Sequence, residues 1–213
     1  MTSMKSRTEC NKTEVRILKA ARAVFIEKGF NSATMNDIAE SAQITRTSLN
    51  YYFRTKQKLF FGIYQSIVGQ IFPQIDEIAM GKSPVFTKIE SAVEIYTSVL
   101  LRNSDVILFI ASEASKNPEI FFEALKSMPE MPTRVKHIAS EINRNMNDGN
   151  LRKMPLEYFA TTFFGLLFFP FLGKNIIKGI FFKDSEKAFE KFVLERRKFI
   201  VDSMKSIFNP EKK

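Results

Sequence analysis

The sequence holds one cysteine, one histidine and no tryptophan among its 213 residues. A single cysteine, Cys10, excludes an intrachain disulfide, so the fold needs no oxidising compartment. Cys10 falls in an N-terminal tail expected to be flexible and has no partner thiol, so redox sensing is not expected of it. One His and one Cys cannot build a His/Cys metal cluster. Glycine is scarce, at 8 residues, and none of it forms a phosphate-cradling loop. No Ser/His/Asp arrangement stands out, and adjacent carboxylates such as Asp76 and Glu77 read as helix surface. Catalysis therefore finds no foothold: no catalytic residue, metal or cofactor is expected.

Long apolar runs are also missing. The residues from Met1 to Glu14 are polar and charged, without the apolar core of a secretory signal, so the cytoplasm is the expected compartment. The most apolar stretch, Phe159 to Gly173, is shorter than the roughly 20 residues a membrane span needs. It contains Pro170, Gly165 and Gly173 and stops at Lys174, so no membrane partner is expected. Apolar all round, it is expected to be buried on several sides.

What the chain does have is positive charge and phenylalanine. The formal charge is +9, and 22 residues are Phe. Hydrophobic residues make up 45% and charged residues 26%, an ordinary balance for a chain with a buried core. Up to Lys58 there are 11 Lys and Arg against 5 Asp and Glu; from Leu59 onward the figures are 21 and 18. Such a basic excess suits either nucleic acid or a solvated lysine-rich surface, and charge alone does not choose.

Helical periodicity runs through the chain, with no convincing alternation of period two. Ile17, Leu18, Ala21, Val24 and Phe25 mark a first helix over about Lys12 to Lys28, with Gly29 placed to end it in the left-handed conformation. Thr34, with Asp37 three residues on, reads as a capping box for a short helix carrying Ile38, Ala39 and Ala42. Gln43 and Ile44 break the pattern. Thr45 reads as the N-cap of a third helix, Arg46 to Phe53, anchored by Leu49 and Phe53. Further helices are expected over Lys56–Met80 (kinked or broken at Pro73), Pro84–Arg102, Ser104–Lys116, Pro118–Lys126, Pro132–Asp148, Pro155–Ile180 (interrupted at Pro170 or Gly173) and Ser185–Phe208.

Two short helices across a tight turn are what a helix-turn-helix requires. The first presents its N-terminus to a phosphate, and the second lies in the major groove with its N-terminal side chains at the base edges. Arg46 can donate bidentately to guanine, and the Thr47 methyl can meet a thymine methyl, with Ser48 small enough for close approach. Tyr51, Tyr52 and Lys56 are in position for phosphates, contacts that orient without specifying sequence.

These residues, Thr34-Met-Asn-Asp-Ile-Ala-Glu-Ser-Ala, then Ile-Thr-Arg-Thr-Ser-Leu-Asn-Tyr-Tyr-Phe and Thr-Lys-Gln-Lys-Leu-Phe, closely resemble the signature of the TetR family of bacterial regulators. The resemblance covers about residues 12–61. It implies an all-α fold with an N-terminal three-helix DNA-binding domain over 1–58, and a larger helical effector-binding and dimerisation domain over 59–213. It further implies a homodimeric regulator, more often a repressor, that binds a palindromic double-stranded operator and is released by a small molecule. The DNA-facing set is then Thr34, Asn36, Thr45, Arg46, Thr47, Ser48, Asn50, Tyr51, Tyr52 and Lys56. The family usually has Gly where this chain has Gln43, and often Tyr where it has Asn50. Asn50 is either an adenine contact or a solvated residue at the helix end.

Beyond residue 61 the assignments rest on composition. The abundance of Phe makes an apolar or aromatic effector the expectation, with Tyr64, Tyr96, Phe109, Glu113, Phe122, His137, Phe163 and Phe164 as candidate pocket residues. The resemblance implies that the last two long helices form the dimer interface, here through Phe168, Phe171, Phe189, Phe192, Val193, Ile200, Met204 and Ile207. The competing reading is that this stripe packs onto its own domain. A helical carrier of apolar molecules is the alternative function, and it leaves the first sixty or so residues unexplained.

Overall fold

The computed structural model describes the backbone of residues 2–210 and the side chains of residues 12–210, so the Cys10 side chain lies outside the described residues. The described residues form helices and no strand. In chain order these are α1 (Thr2–Ser32), α2 (Met35–Ser41), α3 (Arg46–Tyr52), α4 (Lys56–Met80), α5 (Val85–Arg102), α6 (Ser104–Lys116), α7 (Pro118–Lys126), α8 (Met131–Asn147), α9 (Leu156–Leu172), α10 (Lys174–Phe182) and α11 (Glu186–Phe208).

The breakers act mostly where expected, as at Gly173, and the differences fall at Cys10, Gly29 and Pro73. The backbone of α1 is helical across Cys10, where a flexible tail was expected. Gly29 has a positive φ of 74° but a ψ of 164°, outside the left-handed helical region, and one more turn follows it to Ser32. Only glycine adopts that conformation without strain. The stretch after Pro155 stops at Gly173, which separates α9 from α10, while Pro170 stays inside the last turn of α9. The solvent-exposed Pro73 likewise leaves α4 as one helix.

Packing divides the chain into two compact units, one of residues up to Ile67 with Leu108–Met128, the other Val68–Ile107 with the residues from Pro129 onward. This division differs from a boundary at residue 58. Leu59, Phe60 and Ile63 of α4 are buried, and they belong to the unit that holds α1 to α3.

In the first unit α1, α2 and α3 bury Ile17, Ala21, Phe25, Ile38 and Leu49. Phe25, Phe30, Phe60 and Phe109 form a continuous aromatic cluster: Phe109 stacks on Phe25 at 5.7 Å and meets Phe60 edge-on at 5.9 Å. Gly62 allows α4 a close approach, since a Cβ there would lie 2.8 Å from Leu18 Cδ2 and 3.3 Å from Phe53 Cε1. Phe109, expected in a ligand pocket, is a core residue of this unit.

In the second unit α11 packs along α5 and α9. Its buried stripe is Phe189, Val193, Ile200, Val201, Met204 and Phe208, joined by Leu167 and Phe171 of α9. The stripe expected at a dimer interface is thus largely spent inside its own unit. The physical reason is that a continuous apolar ridge at helical spacing is the face that best fills a core. Of the expected set, Phe168 and Phe192 are half-buried and only Ile207 is exposed.

Truncating Phe109 tests the aromatic cluster. Phe109→Ala should cost about 3–5 kcal/mol of stability, as for other buried Phe truncations, measured by urea denaturation; a cost under about 1 kcal/mol would show that the ring does not hold the first unit together.

Candidate nucleic-acid interface and interior cavity

The first site is assembled by two capped helices and one strained turn. The Thr34 hydroxyl accepts the Asp37 backbone N–H at 3.1 Å, and the Thr34 N–H donates to the Asp37 carboxylate at 2.8 Å. Lys28 of α1 donates to the other carboxylate oxygen at 2.9 Å, tying α1 to the start of α2. Held by Lys28 first and then by Thr34, the Asp37 carboxyl titrates at about 2, well below the ordinary carboxylate range. The same contact raises the Lys28 ammonium above its usual value. Thr34 is therefore fully engaged in the cap, since its hydroxyl also donates to Asp37 at 2.8 Å.

The turn is completed by Gln43, whose φ of 54° puts a non-glycine residue in the left-handed region. That conformation costs about 1–2 kcal/mol for a residue with a Cβ. The Gln43 N–H donates to the Glu40 carbonyl at 2.9 Å, and Ile44 N–H to the Ala39 carbonyl at 3.0 Å, so the surrounding bonds hold the turn. Thr45 then caps α3, its hydroxyl accepting the Ser48 N–H at 3.1 Å.

Within α3 only Leu49 is buried. Arg46, Thr47, Ser48, Asn50 and Tyr51 are all exposed, and Tyr51, at 82% exposure, packs edge-on against the half-buried Tyr52 at 5.3 Å. Asn36 and Thr45 are exposed as well. Lys56, also expected at a phosphate, donates its ammonium to the Phe30 and Asn31 carbonyls at 2.8 and 2.9 Å and lies 5.1 Å from the Phe30 ring centre. It closes the C-terminal end of α1, where a cation satisfies orphan carbonyls. Arg54, an exposed cation just beyond α3, was not among the expected contacts, although its adjacency to α3 marks it.

The second site is a cavity of about 250 Å³ within the second unit. Its wall is almost wholly apolar, with an aromatic side made by Tyr96, Phe159, Phe163 and Phe164. Tyr96 meets Phe163 and Phe164 edge-on at 5.9 and 5.7 Å. Of the expected pocket residues, Tyr96, Phe163 and Phe164 line it. Tyr64, Phe109, Glu113 and Phe122 belong to the first unit. There Tyr64 packs on Phe121 and its hydroxyl is pushed up to about 12 by burial, Glu113 is buried, and Phe122 is exposed. His137 is exposed on α8 and does not line the cavity.

The polar groups at the cavity are ones the sequence did not single out. Lys88 donates to Glu141 at 2.7 Å and to the Ala79 carbonyl at 2.9 Å, and Asn145 Nδ2 donates to the Glu141 carbonyl at 2.9 Å. Burial pushes the Glu141 pKa upward, but Lys88 and then Arg144 outweigh it and hold the carboxyl below its ordinary value. Among the described residues no group of His, Cys, Asp or Glu is arranged to hold a metal ion, and no single helix is long and apolar enough to cross a membrane.

The depressed Asp37 pKa fixes a pH dependence. A carboxylate favoured in the folded state stabilises it above the unfolded pKa of about 3.9, and that support disappears as pH falls toward about 2. Asp37→Asn should therefore lower the urea midpoint at pH 7, with the gap to the parent protein closing as the pH drops below about 4; a gap constant over that range would show that the carboxylate charge is not what holds the cap.

Residues 17–63 match the model of the bacterial regulatory proteins of the tetR family. The HTH-type transcriptional regulator UidR of Escherichia coli (strain K12) is 31% identical over 113 residues, which span 53% of this chain and 57% of UidR. The chain thus matches little more than half the length of that relative. YfiR of Bacillus subtilis (strain 168), also an HTH-type transcriptional regulator, is 25% identical over 182 residues, 84% of each chain. Among solved structures, the transcriptional regulator FadR of Bacillus subtilis, in complex with stearoyl-CoA, shares the fold with a TM-score of 0.66. It is 15% identical, over 88% of this chain and 97% of that one. The capped α2, the turn at Gln43 and the exposed face of α3 all lie inside the segment that matches the tetR family of bacterial regulatory proteins.

Proposed function

We propose that the protein is a DNA-binding transcriptional regulator that acts as a homodimer and answers to a small molecule held in the cavity of its second unit. The observation that carries the reading is the face of α3. A seven-residue helix buries one side chain and leaves Arg46, Thr47, Ser48, Asn50 and Tyr51 to solvent. A helix in the major groove needs that pattern, with short polar side chains and one Arg at its N-terminal end. Arg46 makes no ion pair among the described residues, so its guanidinium is available to a guanine edge. Tyr51 and Arg54 flank it as phosphate contacts. Repression is the mode favoured by analogy with the family.

Dimerisation is assigned to a different face from the stripe that fills the core. Phe169 and Leu172 of α9, Ile176, Ile180 and Phe181 of α10 and Phe199 of α11 are 44–70% exposed. Apolar side chains of that size left in water mark a surface that a partner covers, and in a two-fold dimer the same patch serves both subunits. A palindromic operator follows from that symmetry. The apolar cavity supports ligand control, and the stearoyl-CoA bound by FadR supports reading this unit as one that holds small molecules.

Selection from a random duplex library, followed by anisotropy titration, tests the reading head. Arg46→Ala should cost about 1–3 kcal/mol on the selected duplex and little on random DNA; equal losses on both would make Arg46 a phosphate contact. For the dimer, Ile176→Glu combined with Phe181→Glu should shift the sedimenting species from dimer to monomer. An unchanged dimer would place the interface elsewhere.

A further inference from the structure

The cavity and its surroundings form a two-part chamber. The inner part is apolar and is closed at one side by the Lys88–Glu141 ion pair and Asn145. Beyond that pair, and still within the second unit, lies an open polar cleft. It shares Val85, Lys88, Glu141 and Asn145 with the chamber and adds Lys82, Ser83, Arg144 and Asp148 among its lining. Side-chain exposures of 10% for Lys88 and 13% for Glu141 make the pair a partition between an apolar and an aqueous space.

The charges at that partition do not balance. Among the described residues Glu141 is the carboxylate bonded to both Lys88 and Arg144, so two cations share one anion. The cleft also holds one further cation, Lys82, and one further anion, Asp148. The backbone leans the same way: α5 begins at Val85 with no side-chain cap and no acidic residue in its first turn, which leaves partial positive charge facing the cleft lined by Pro84, Val85 and Phe86. Lys88 is nearly buried beside the apolar chamber and shares its carboxylate with the exposed Arg144, so an anion at the cleft would be met by both cations.

We propose that the chamber takes the apolar body of a monoanionic amphiphile of the fatty-acid class, and that its acidic head group lies in the polar cleft against Lys88 and Arg144. The assignment rests on reading the second unit as the effector-binding part. The volume bounds the body. An apolar cavity of roughly 150 Å³ accommodates benzene, so about 250 Å³ suits a medium-length chain or a substituted ring and not a long straight chain. Glu141 plays the opposite part to Lys88: it competes with the ligand head for the same cations.

The test compares decanoate, decan-1-ol and decyltrimethylammonium, which share a body and differ in head charge, by isothermal titration of the full-length protein. Decanoate should bind about tenfold or more tighter than the alcohol, the worth of a charge-assisted hydrogen bond, and the ammonium compound should bind most weakly. Lys88→Gln should bring decanoate and decan-1-ol together. Glu141→Gln should tighten decanoate while leaving decan-1-ol unchanged, a gain that no loss of folding produces. Thermal unfolding of both variants confirms that they are folded. Equal binding of acid and alcohol to the parent protein, or tightest binding of the ammonium compound, overturns the anionic assignment and leaves the effector reading standing. If none of the three binds, the assignment and the effector reading of this cavity fail together; duplex binding, titrated alongside, reports separately on the DNA-binding reading.

Discussion

The outward face of α3 depends on the burial of Leu49. A helix of seven residues is too short to persist in water by its own hydrogen bonds, because nucleation consumes most of what so few bonds return. It exists because one apolar anchor reaches the core beneath it and Thr45 caps its first turn. That anchor fixes the rotation of the helix about its axis, and the rotation decides which side chains meet solvent. Arg46, Thr47, Ser48, Asn50 and Tyr51 are presented together as a consequence.

The elements that hold the anchor in place follow from the same requirement. The core of the same unit is given shape by Phe25, Phe30, Phe60 and Phe109, whose rings meet at 5.5–5.9 Å. The approach to α3 is set at its other end by Lys28, Thr34 and Asp37, which fix where α2 starts. Gln43 then accepts a left-handed backbone so that the turn can bring α3 over the core. Strain at one residue is tolerated because bonds on both sides over-determine the turn.

Much of this was legible in the chain of residues. Thr34 with Asp37, Thr45 ahead of Arg46, and Gly173 after the Phe-rich stretch are local signals, and each acts within a few residues of itself. Gln43 was legible as a departure from glycine, and its positive φ shows that the turn keeps its geometry. What was not legible depended on register and on distant partners. Helix α11 carries apolar residues on more than one side, so periodicity found the stripe of Phe189, Val193, Ile200 and Met204 but did not say that α5 and α9 cover it. The exposed face had to be read from burial. Lys88 and Glu141 lie 53 positions apart and read singly as helix surface; only folding pairs them at the cavity. His137, conspicuous as the one histidine, is exposed on α8. Lys56 reads by charge as a phosphate ligand, and its bonds to the carbonyls of Phe30 and Asn31 at the end of α1 were not legible.

The central claim is that the first unit is a nucleic-acid reading head, and the dependence of duplex affinity on salt tests it most directly. Each phosphate neutralised by Arg or Lys releases counterions, so log affinity falls linearly with log salt, by about 0.9 per contact on double-stranded DNA. Fluorescence anisotropy of the parent protein on a labelled duplex should give a steep negative slope equivalent to several phosphate contacts. Absence of binding to any duplex at low salt, or an affinity indifferent to salt, would contradict the account.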